Sequence, residues 1–251
     1  MSYQNIKFAI ENGIASLILA RHDVRNAISD TTFVDEIVDA LNRAQVSAET
    51  RVLVLSAEGS AFSAGGNVKH MRDKTGTFAG GPATVRRRYI EGIQRVPKAL
   101  YALDIPSIAA VQGPAIGAGC DLALYCDIVI ASTQARFGET FINVGMQRAA
   151  ELIFTGRIVD GAEAAEIGMA LECTEPNALL PRVTELAVQI AARPPVTARM
   201  VKTLLRQSQA AGLHDFLDNC AALQAICHTT DDHTEAVGAP LEKREPVFKG
   251  I

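Results

Sequence analysis

Short apolar runs recur along the first half of the chain and are typical of strands. The N-terminal segment carries an Asn12-Gly13 turn inside its apolar part, which predicts a β-hairpin. The runs 51–57, 107–111 and 128–131 are almost wholly apolar, as expected of strands that are buried on both faces. Such strands predict a sheet with mostly parallel pairing.

The segments between these runs have helical periodicity. Residues 31–45 repeat apolar side chains at helical spacing behind a capping pair, Ser29-Asp30. Residues 85–103 predict a long amphipathic helix that Pro97 bends or divides. A third helix is predicted to open at Asp121. Helices alternating with buried strands predict an α/β protein.

The second half of the chain has helical rather than strand periodicity. Helices are predicted over residues 162–167, 179–192, 197–210 and 213–229. Pro194-Pro195 interrupts this series and is typical of a boundary. We therefore expect a core over residues 1–193, which binds the ligand and holds the site, and a helical region over residues 194–251.

Composition and charge exclude several classes of function. The 251 residues are 48% hydrophobic with a formal charge of −4, so a cationic surface for nucleic acid is not expected. Arg86-Arg87-Arg88 is the one dense basic run, and we interpret it as a solvated helix face rather than a contact for ligand anions. No apolar run reaches the length of a membrane span. The five cysteines lack the spacing of a metal site or a disulfide framework, which favours a cytoplasmic protein without a metal.

Two glycine turns, Ala64-Gly65-Gly66 and Gly117-Ala118-Gly119, each follow a buried strand. Turns of this kind can direct unpaired backbone N–H groups at one oxygen atom, as in an oxyanion hole. Asp121 follows the second turn, where it could move a proton beside the bound carbonyl. The alternative is structural: the glycines permit close packing and Asp121 caps a helix. The spacing of the glycines does not match a dinucleotide or phosphate-loop fingerprint.

Six segments in the same order resemble the crotonase family, also called the enoyl-CoA hydratase/isomerase family. They are RHDVRNAI (21–28), VLVLSAEGSAFSAGGNVKHM (52–71), DIPSIAAVQGPAIGAGCDLALYCDIVIAS (104–132), ARFGE (135–139), FTGRIVDGAEAAEIGMA (154–170) and LEKREPVFKG (241–250). The resemblance implies a spiral of β-β-α turns with a helical C-terminal region that forms a homotrimer or a dimer of trimers. It also implies an acyl-CoA thioester as substrate, with coenzyme A as part of that substrate and no other cofactor.

The resemblance assigns roles to particular residues. The oxyanion donors would be the amides of Gly66 and Ala118, and the acid would be Asp121. Regions that bind substrate and coenzyme A would include Arg25, Ala27, Ala64, Gly65, Gly66, Asn67, Val68, Lys69, Ala118 and Phe141. Asn67 stands where aspartate is common in the family.

Two departures from the family pattern bear on the chemistry. The position of the second family acid falls on Phe141, which cannot exchange a proton, and Glu139 is a more distant substitute. Hydration by two carboxylates is therefore in doubt, whereas isomerisation of a double bond needs only one acid. The chain also passes from Met146 to Gln147 about fifteen residues early. Either the protein is shortened there or residues are missing from the sequence, and we favour the second explanation.

Two other classes of function stay open. Ala61-Phe62-Ser63-Ala64-Gly65 nearly matches the nucleophile elbow of a serine hydrolase, but its first glycine is replaced by Ala61. A hydrolase would lose activity on Ser63→Ala, whereas an oxyanion turn is expected to tolerate it. The second alternative is a protein that binds acyl-CoA without converting it.

Overall fold

The computed structural model describes residues 3–138 and 146–251, with side chains left out for residues 146–149. The strands in these ranges are β1 (Ile6–Glu11), β2 (Ile14–Leu19), β3 (Val52–Ala57), β4 (Ser107–Val111), β5 (Pro114–Ile116), β6 (Ile128–Ser132), β7 (Arg136–Gly138), β8 (Val159–Asp160) and β9 (Glu172–Thr174). The α-helices are α1 (Thr31–Val46), α2 (Val68–Asp73), α3 (Pro82–Glu91), α4 (Arg95–Ala102), α5 (Ala118–Leu124), α6 (Met146–Thr155), α7 (Gly161–Glu166), α8 (Pro176–Ala191), α9 (Pro195–Gln207), α10 (Leu213–His228) and α11 (Asp231–Leu241).

The main sheet has six strands in the order β1-β2-β3-β4-β6-β9, and only the β1–β2 pair is antiparallel. All five residues of β4 are buried, which confirms a strand covered on both faces. The β1–β2 hairpin turns at Asn12 and Gly13, which have φ of 52° and 81°. Positive φ at both central residues is what a type I′ hairpin turn requires, and Asn-Gly supplies it with little strain. The predicted α/β class is confirmed.

A smaller sheet, β5-β7-β8, lies beside the end of the main sheet. Strand β5 follows β4 after two residues and pairs in parallel with β7. This arrangement leads the chain from the buried centre of the main sheet into the second glycine turn, directly before α5.

The predicted long helix is divided, but at a different place from the one expected. Helix α3 ends at Glu91, and α4 begins at Arg95. Pro97 is the third residue of α4, where a missing N–H breaks no helical hydrogen bond. Gly92 directly follows the last residue of α3, and a Cβ there would lie 2.6 Å from the carbonyl oxygen of Arg88.

Helix α1 begins as predicted, whereas α5 does not. The Asp30 carboxylate accepts a hydrogen bond from the N–H of Phe33, as a helix cap should. Helix α5 opens at Ala118 behind Gly117, whose φ of 52° favours glycine. Asp121 is therefore the fourth residue of the helix, and the interpretation of Asp121 as its cap is wrong.

The C-terminal helices follow the prediction closely and add α11, which the sequence pattern did not indicate. Helix α9 begins at Pro195, beside the predicted boundary, and lies against the core through Lys202. The Lys202 ammonium is 2.6 Å from the carbonyl oxygen of Ile105 and 2.7 Å from the Asp127 carboxylate. The division into residues 1–193 and 194–251 stays a prediction.

Candidate active site

The two glycine turns are in direct contact. Ser63 forms a parallel bridge with Ala115 in β5, because its N–H donates to Pro114 and its carbonyl accepts from Ile116. This pairing leads both chains into their turns side by side. A Cβ at Gly65 would lie 2.3 Å from the carbonyl oxygen of Ile116 and 3.1 Å from the amide nitrogen of Ala118. Only glycine at position 65 allows the turns to approach this closely.

Unpaired backbone donors remain where the turns meet. The N–H groups on either side of Gly66 are bonded, that of Gly65 to Ser63 Oγ at 3.2 Å and that of Asn67 to Ser29 Oγ at 2.7 Å. Among the described residues, no group accepts a hydrogen bond from the N–H of Gly66 or of Ala118. Both residues are partly exposed.

The segment before α1 holds the first turn in place. The N–H of Ala64 donates to the carbonyl of Arg25 at 2.9 Å, and the N–H of Ile28 donates to the carbonyl of Gly65 at 2.7 Å. Arg25 and Asn26 both have φ of 53°, a left-handed conformation that is uncommon outside glycine. Two such residues in sequence reverse the chain so that its backbone faces the turn.

Asn26 and Ser63 are structural residues of the site whose roles sequence reasoning missed. Asn26 is fully buried, and its side-chain amide donates to the carbonyls of Glu58 and Ala61 at 3.0 Å each. Its own carbonyl accepts a hydrogen bond from Ser63 Oγ at 2.8 Å. The available signal was Asn26 itself, because asparagine tolerates the left-handed region better than most residues.

The residues assigned to coenzyme A by resemblance lie around the first turn. Asn67 caps α2, because its side-chain oxygen accepts from the N–H of Lys69 and of His70. An aspartate would accept the same two bonds, so the exchange leaves the local geometry unchanged. The side chains of Val68 and Lys69, like that of Arg25, are exposed, and Ala27 is half-buried. Phe141 and Glu139 lie outside the described residues.

Asp121 lies in the first turn of α5, three residues after Ala118, and is half-buried. Its carboxylate is close enough to influence two neighbours. Burial raises the pKa of the Cys120 thiol, and the charge of Asp121 raises it further. Burial and Asp121 likewise raise the pKa of the Tyr125 phenol. Cys120 is therefore held as a thiol and is not suited to act as a nucleophile.

Apolar side chains cover the first turn from outside. A Cβ at Gly66 would lie 2.3 Å from Met71 Cε and 3.8 Å from Phe78 Cζ. The ring of Phe78 packs edge-on against Tyr89 of α3, with centroids 6.0 Å apart. These contacts place a side chain of α3 next to an apolar wall over the Gly66 turn.

The three consecutive arginines of α3 make different contacts. Arg88 donates to the carbonyls of Gly76 and Ala79 at 2.8 and 2.7 Å, which ties the preceding loop to the helix. Arg87 lies 4.0 Å from Glu91 on the exposed face. Arg86 borders a groove of about 500 Å³ along the same helix, lined also by Pro82, Val85, Tyr89, Ile90 and Gln94.

The position of Ser63 argues against a serine hydrolase. Its side chain is fully buried, and its hydroxyl is engaged both as a donor to Asn26 and as an acceptor from Gly65. A nucleophilic serine needs an exposed hydroxyl and a base in contact with it. Ser63 therefore supports the turn rather than attacking a substrate.

Comparison with known proteins identifies the family. The model of the family "Enoyl-CoA hydratase/isomerase" matches residues 9–147 and 142–251. Crotonyl-CoA hydratase of Syntrophomonas wolfei is 29% identical over 269 aligned residues, with 99% of each chain covered. Trans-2-decenoyl-[acyl-carrier-protein] isomerase of Streptococcus mutans is 28% identical over 267, with both chains fully covered. The structure of enoyl-CoA hydratase from Bacillus anthracis superposes with a TM-score of 0.88 at 28% identity, covering 99% of this chain and all of the other.

The match to the family model falls into two parts, which adjoin at the point where the sequence passes early from Met146 to Gln147. Its two parts meet at residues 142–147, and the alignments to the two relatives span more positions than the 251 residues of this chain. Met146 and Gln147 are consecutive residues of helix α6. Whether residues are missing from the sequence, as we favour, stays a prediction. With the match extending over nearly the whole length, the chain belongs to the enoyl-CoA hydratase/isomerase family, and its architecture is the crotonase fold.

Proposed function

We propose that the protein converts an unsaturated acyl-CoA thioester through an enolate held by the N–H groups of Gly66 and Ala118. The observation that carries this proposal is the contact between the two glycine turns, which leaves these two donors unpaired among the described residues. Two donors directed at one oxygen stabilise the negative charge that develops there when a proton leaves the neighbouring carbon. Loss of one such donor typically slows a reaction by about 10²–10³-fold.

Asp121 is the proposed acid and base. It lies one helical turn from the Ala118 amide, so a carbonyl bound at that amide brings its α-carbon towards the carboxylate. In an isomerisation of a 3-enoyl thioester, the carboxylate removes a proton from the α-carbon, the electrons move into the thioester dienolate, and the resulting carboxylic acid delivers a proton to the γ-carbon. In a hydration, water adds to the β-carbon and a proton is delivered to the α-carbon.

The type of reaction is a separate part of the proposal. We infer hydratase or isomerase chemistry from the family, and the two named relatives include one of each. Isomerisation without hydration is the second candidate function. The sequence supports it because Phe141 occupies the position of the second family acid. An aromatic ring at that position cannot activate a water molecule, whereas a single carboxylate can move a proton between two carbons.

Substitution of Asp121 tests the role of the carboxylate. Asp121→Asn keeps the size of the side chain but removes the base, so we expect exchange of α-protons in butyryl-CoA to fall by about 10²-fold or more. NMR in D₂O measures that exchange, and calorimetry should show nearly unchanged affinity for butyryl-CoA. Crotonyl-CoA and 3-butenoyl-CoA, followed by chromatography, separate hydration from isomerisation.

Asp127→Asn is unsuitable as a control because that carboxylate pairs with Lys202, so exposed Asp73→Asn in α2 serves instead. Exchange at the wild-type rate in Asp121→Asn would remove Asp121 from the mechanism. Binding of butyryl-CoA by the wild type without any exchange or conversion would support the alternative of a non-catalytic acyl-CoA-binding protein.

We also propose that the C-terminal helices associate into a homotrimer or a dimer of trimers. The proposal is supported by apolar side chains that the single chain leaves exposed on α9 and α10, among them Leu205 at 64% and Leu213 at 73%. Exposed apolar surface of this kind is typical of protein interfaces. No helix among the described residues is long and apolar enough to cross a membrane.

A further inference from the structure

The direction of the Gly66 N–H is set by the peptide group to which it belongs. That peptide joins Gly65 to Gly66, and its carbonyl oxygen accepts a hydrogen bond from the N–H of Ile28 at 2.7 Å. Because a peptide group is planar and trans, fixing the carbonyl fixes the N–H on the opposite side. The segment of Asn26 to Ile28 therefore aims the first oxyanion donor.

Glycine makes this aim dependent on outside support. Gly65 has φ of 70° and no side chain of its own to restrict rotation, and Gly66 follows it directly. Glycine has more backbone freedom than any other residue, so neighbouring groups must define the orientation of this peptide. An oxyanion donor is effective only within a narrow range of distance and direction.

The side chain of Ser63 ties the preceding peptide group, which joins Ala64 to Gly65, to Asn26. Its hydroxyl donates to the carbonyl of Asn26 at 2.8 Å and accepts from the N–H of Gly65 at 3.2 Å. Asn26 is held in turn by Glu58 and Ala61, through its side-chain amide. The hydroxyl thus links buried Asn26 to the peptide group directly before the one that carries the donor, and these two peptide groups are joined at Gly65.

We infer that Ser63 is a positioning residue, which aims the Gly66 N–H at the thioester oxygen without touching the substrate. The inference rests on the proposed oxyanion role of Gly66. It also revises the expectation that this turn tolerates Ser63→Ala. Removal of the hydroxyl leaves the donor in place but loosens its direction, so the reaction should slow while binding of the acyl-CoA persists.

Ser132 provides a closely matched control. It is also fully buried, donates from its hydroxyl to the carbonyl of Gln112 at 2.8 Å, and accepts from the N–H of Gln134 at 3.1 Å. The two hydroxyls therefore make the same pair of bonds, one of them to the N–H two residues later. Ser132→Ala should lose comparable stability without affecting the Gly66 peptide.

The experiment compares Ser63→Ala, Ser63→Cys and Ser132→Ala, with butyryl-CoA carrying ¹³C at its carbonyl. We expect α-proton exchange in Ser63→Ala to slow by about tenfold, less than the complete loss of one oxyanion donor. The dissociation constant of Ser63→Ala for butyryl-CoA should change by less than about twofold. In difference infrared spectra, the stretching frequency of the bound carbonyl should lie closer to its value in water than it does in the wild type. Ser63→Cys, with a weaker acceptor, should be intermediate, and Ser132→Ala should match the wild type.

The outcomes separate this inference from the proposal on which it rests. A wild-type protein that leaves the carbonyl frequency unchanged has no oxyanion hole, which overturns both. A wild-type shift that Ser63→Ala and Ser63→Cys both retain, with wild-type exchange rates, overturns the role of Ser63 alone. An equal slowing in Ser132→Ala also overturns it, because the effect would then follow from lost stability. If Ser63→Ala fails to fold, Ser63→Cys still decides between these outcomes.

Discussion

Gly65 excludes any side chain for two separable reasons. Its φ of 70° is unfavourable for other residues, and a Cβ would collide with the carbonyl of Ile116. Gly168 has a similar φ of 77°, but no atom lies within 4 Å of the place a Cβ would take. The pair therefore distinguishes backbone strain from loss of the contact between the two turns.

For Gly168→Ala we expect a loss of about 1 kcal/mol in the free energy of unfolding, from strain alone. Gly65→Ala should lose about 3 kcal/mol, because the turns must also separate. Urea denaturation measures both values, and butyryl-CoA exchange should fall only in Gly65→Ala. Equal losses in the two variants would show that the close approach of the turns contributes little.

Among the elements, α9 is attached to the core through a buried charge. Burial lowers the pKa of the Lys202 ammonium, and the charge of Asp127 opposes that shift. Asp127 also accepts hydrogen bonds from the N–H and hydroxyl of Ser107, and its other oxygen lies 3.8 Å from Arg206. The helix is thus anchored at the start of β4, at the opposite end of that strand from the glycine turn.

Lys202→Met should lower the free energy of unfolding by about 2–4 kcal/mol, because it leaves a partly buried carboxylate without its nearest cation. Exposed Lys98→Met is the control and should change stability little. The pH dependence gives a second readout. The unfolded state holds the lysine proton up to its usual pKa of 10.5, above the lowered folded value, so this group adds stability as pH rises between the two. Lys202→Met should lack this gain in stability with rising pH. A variant whose stability depends on pH as the wild type's does would contradict the role of Lys202.

At the scale of the whole molecule, the helical C-terminal region carries apolar side chains that stay exposed in the single chain. All side chains of α10 are at least partly exposed, and Val201, Leu205, Leu213, Leu217 and Ile226 of α9 and α10 are exposed. Lys202 anchors one side of α9 to the core, which leaves this other surface available for contact with further copies.

Light scattering should therefore give about three times, or six times, the 26.8 kDa mass of one chain. Leu205→Glu combined with Leu217→Glu should shift the protein towards the monomer, because each buries a charge in the proposed interface. Val46→Glu is the control, because Val46 at the end of α1 is an apolar position that is even more exposed than Leu205 and Leu217. A monomeric wild type would contradict the proposed assembly.

Helix and strand positions were largely predictable because they depend on local patterns. The Asn12-Gly13 turn, the Asp30 cap and the apolar run of β4 each carry their own signal, and all three are confirmed. The division of the long helix was misplaced to Pro97 because a proline is harmless in a first turn. The start of α5 was misplaced to Asp121 because an acid in the first turn resembles a cap.

By itself, the sequence determined the α/β class, the family, and two glycine turns that each follow a buried strand. Only the tertiary structure decided that Gly65 touches the Ile116–Ala118 turn and that Asn26 and Ser63 hold it there. The reason is physical: periodicity reports which face of an element is buried, whereas these contacts join residues about 37 to 53 positions apart, and each involves a backbone atom of a kind that every residue carries.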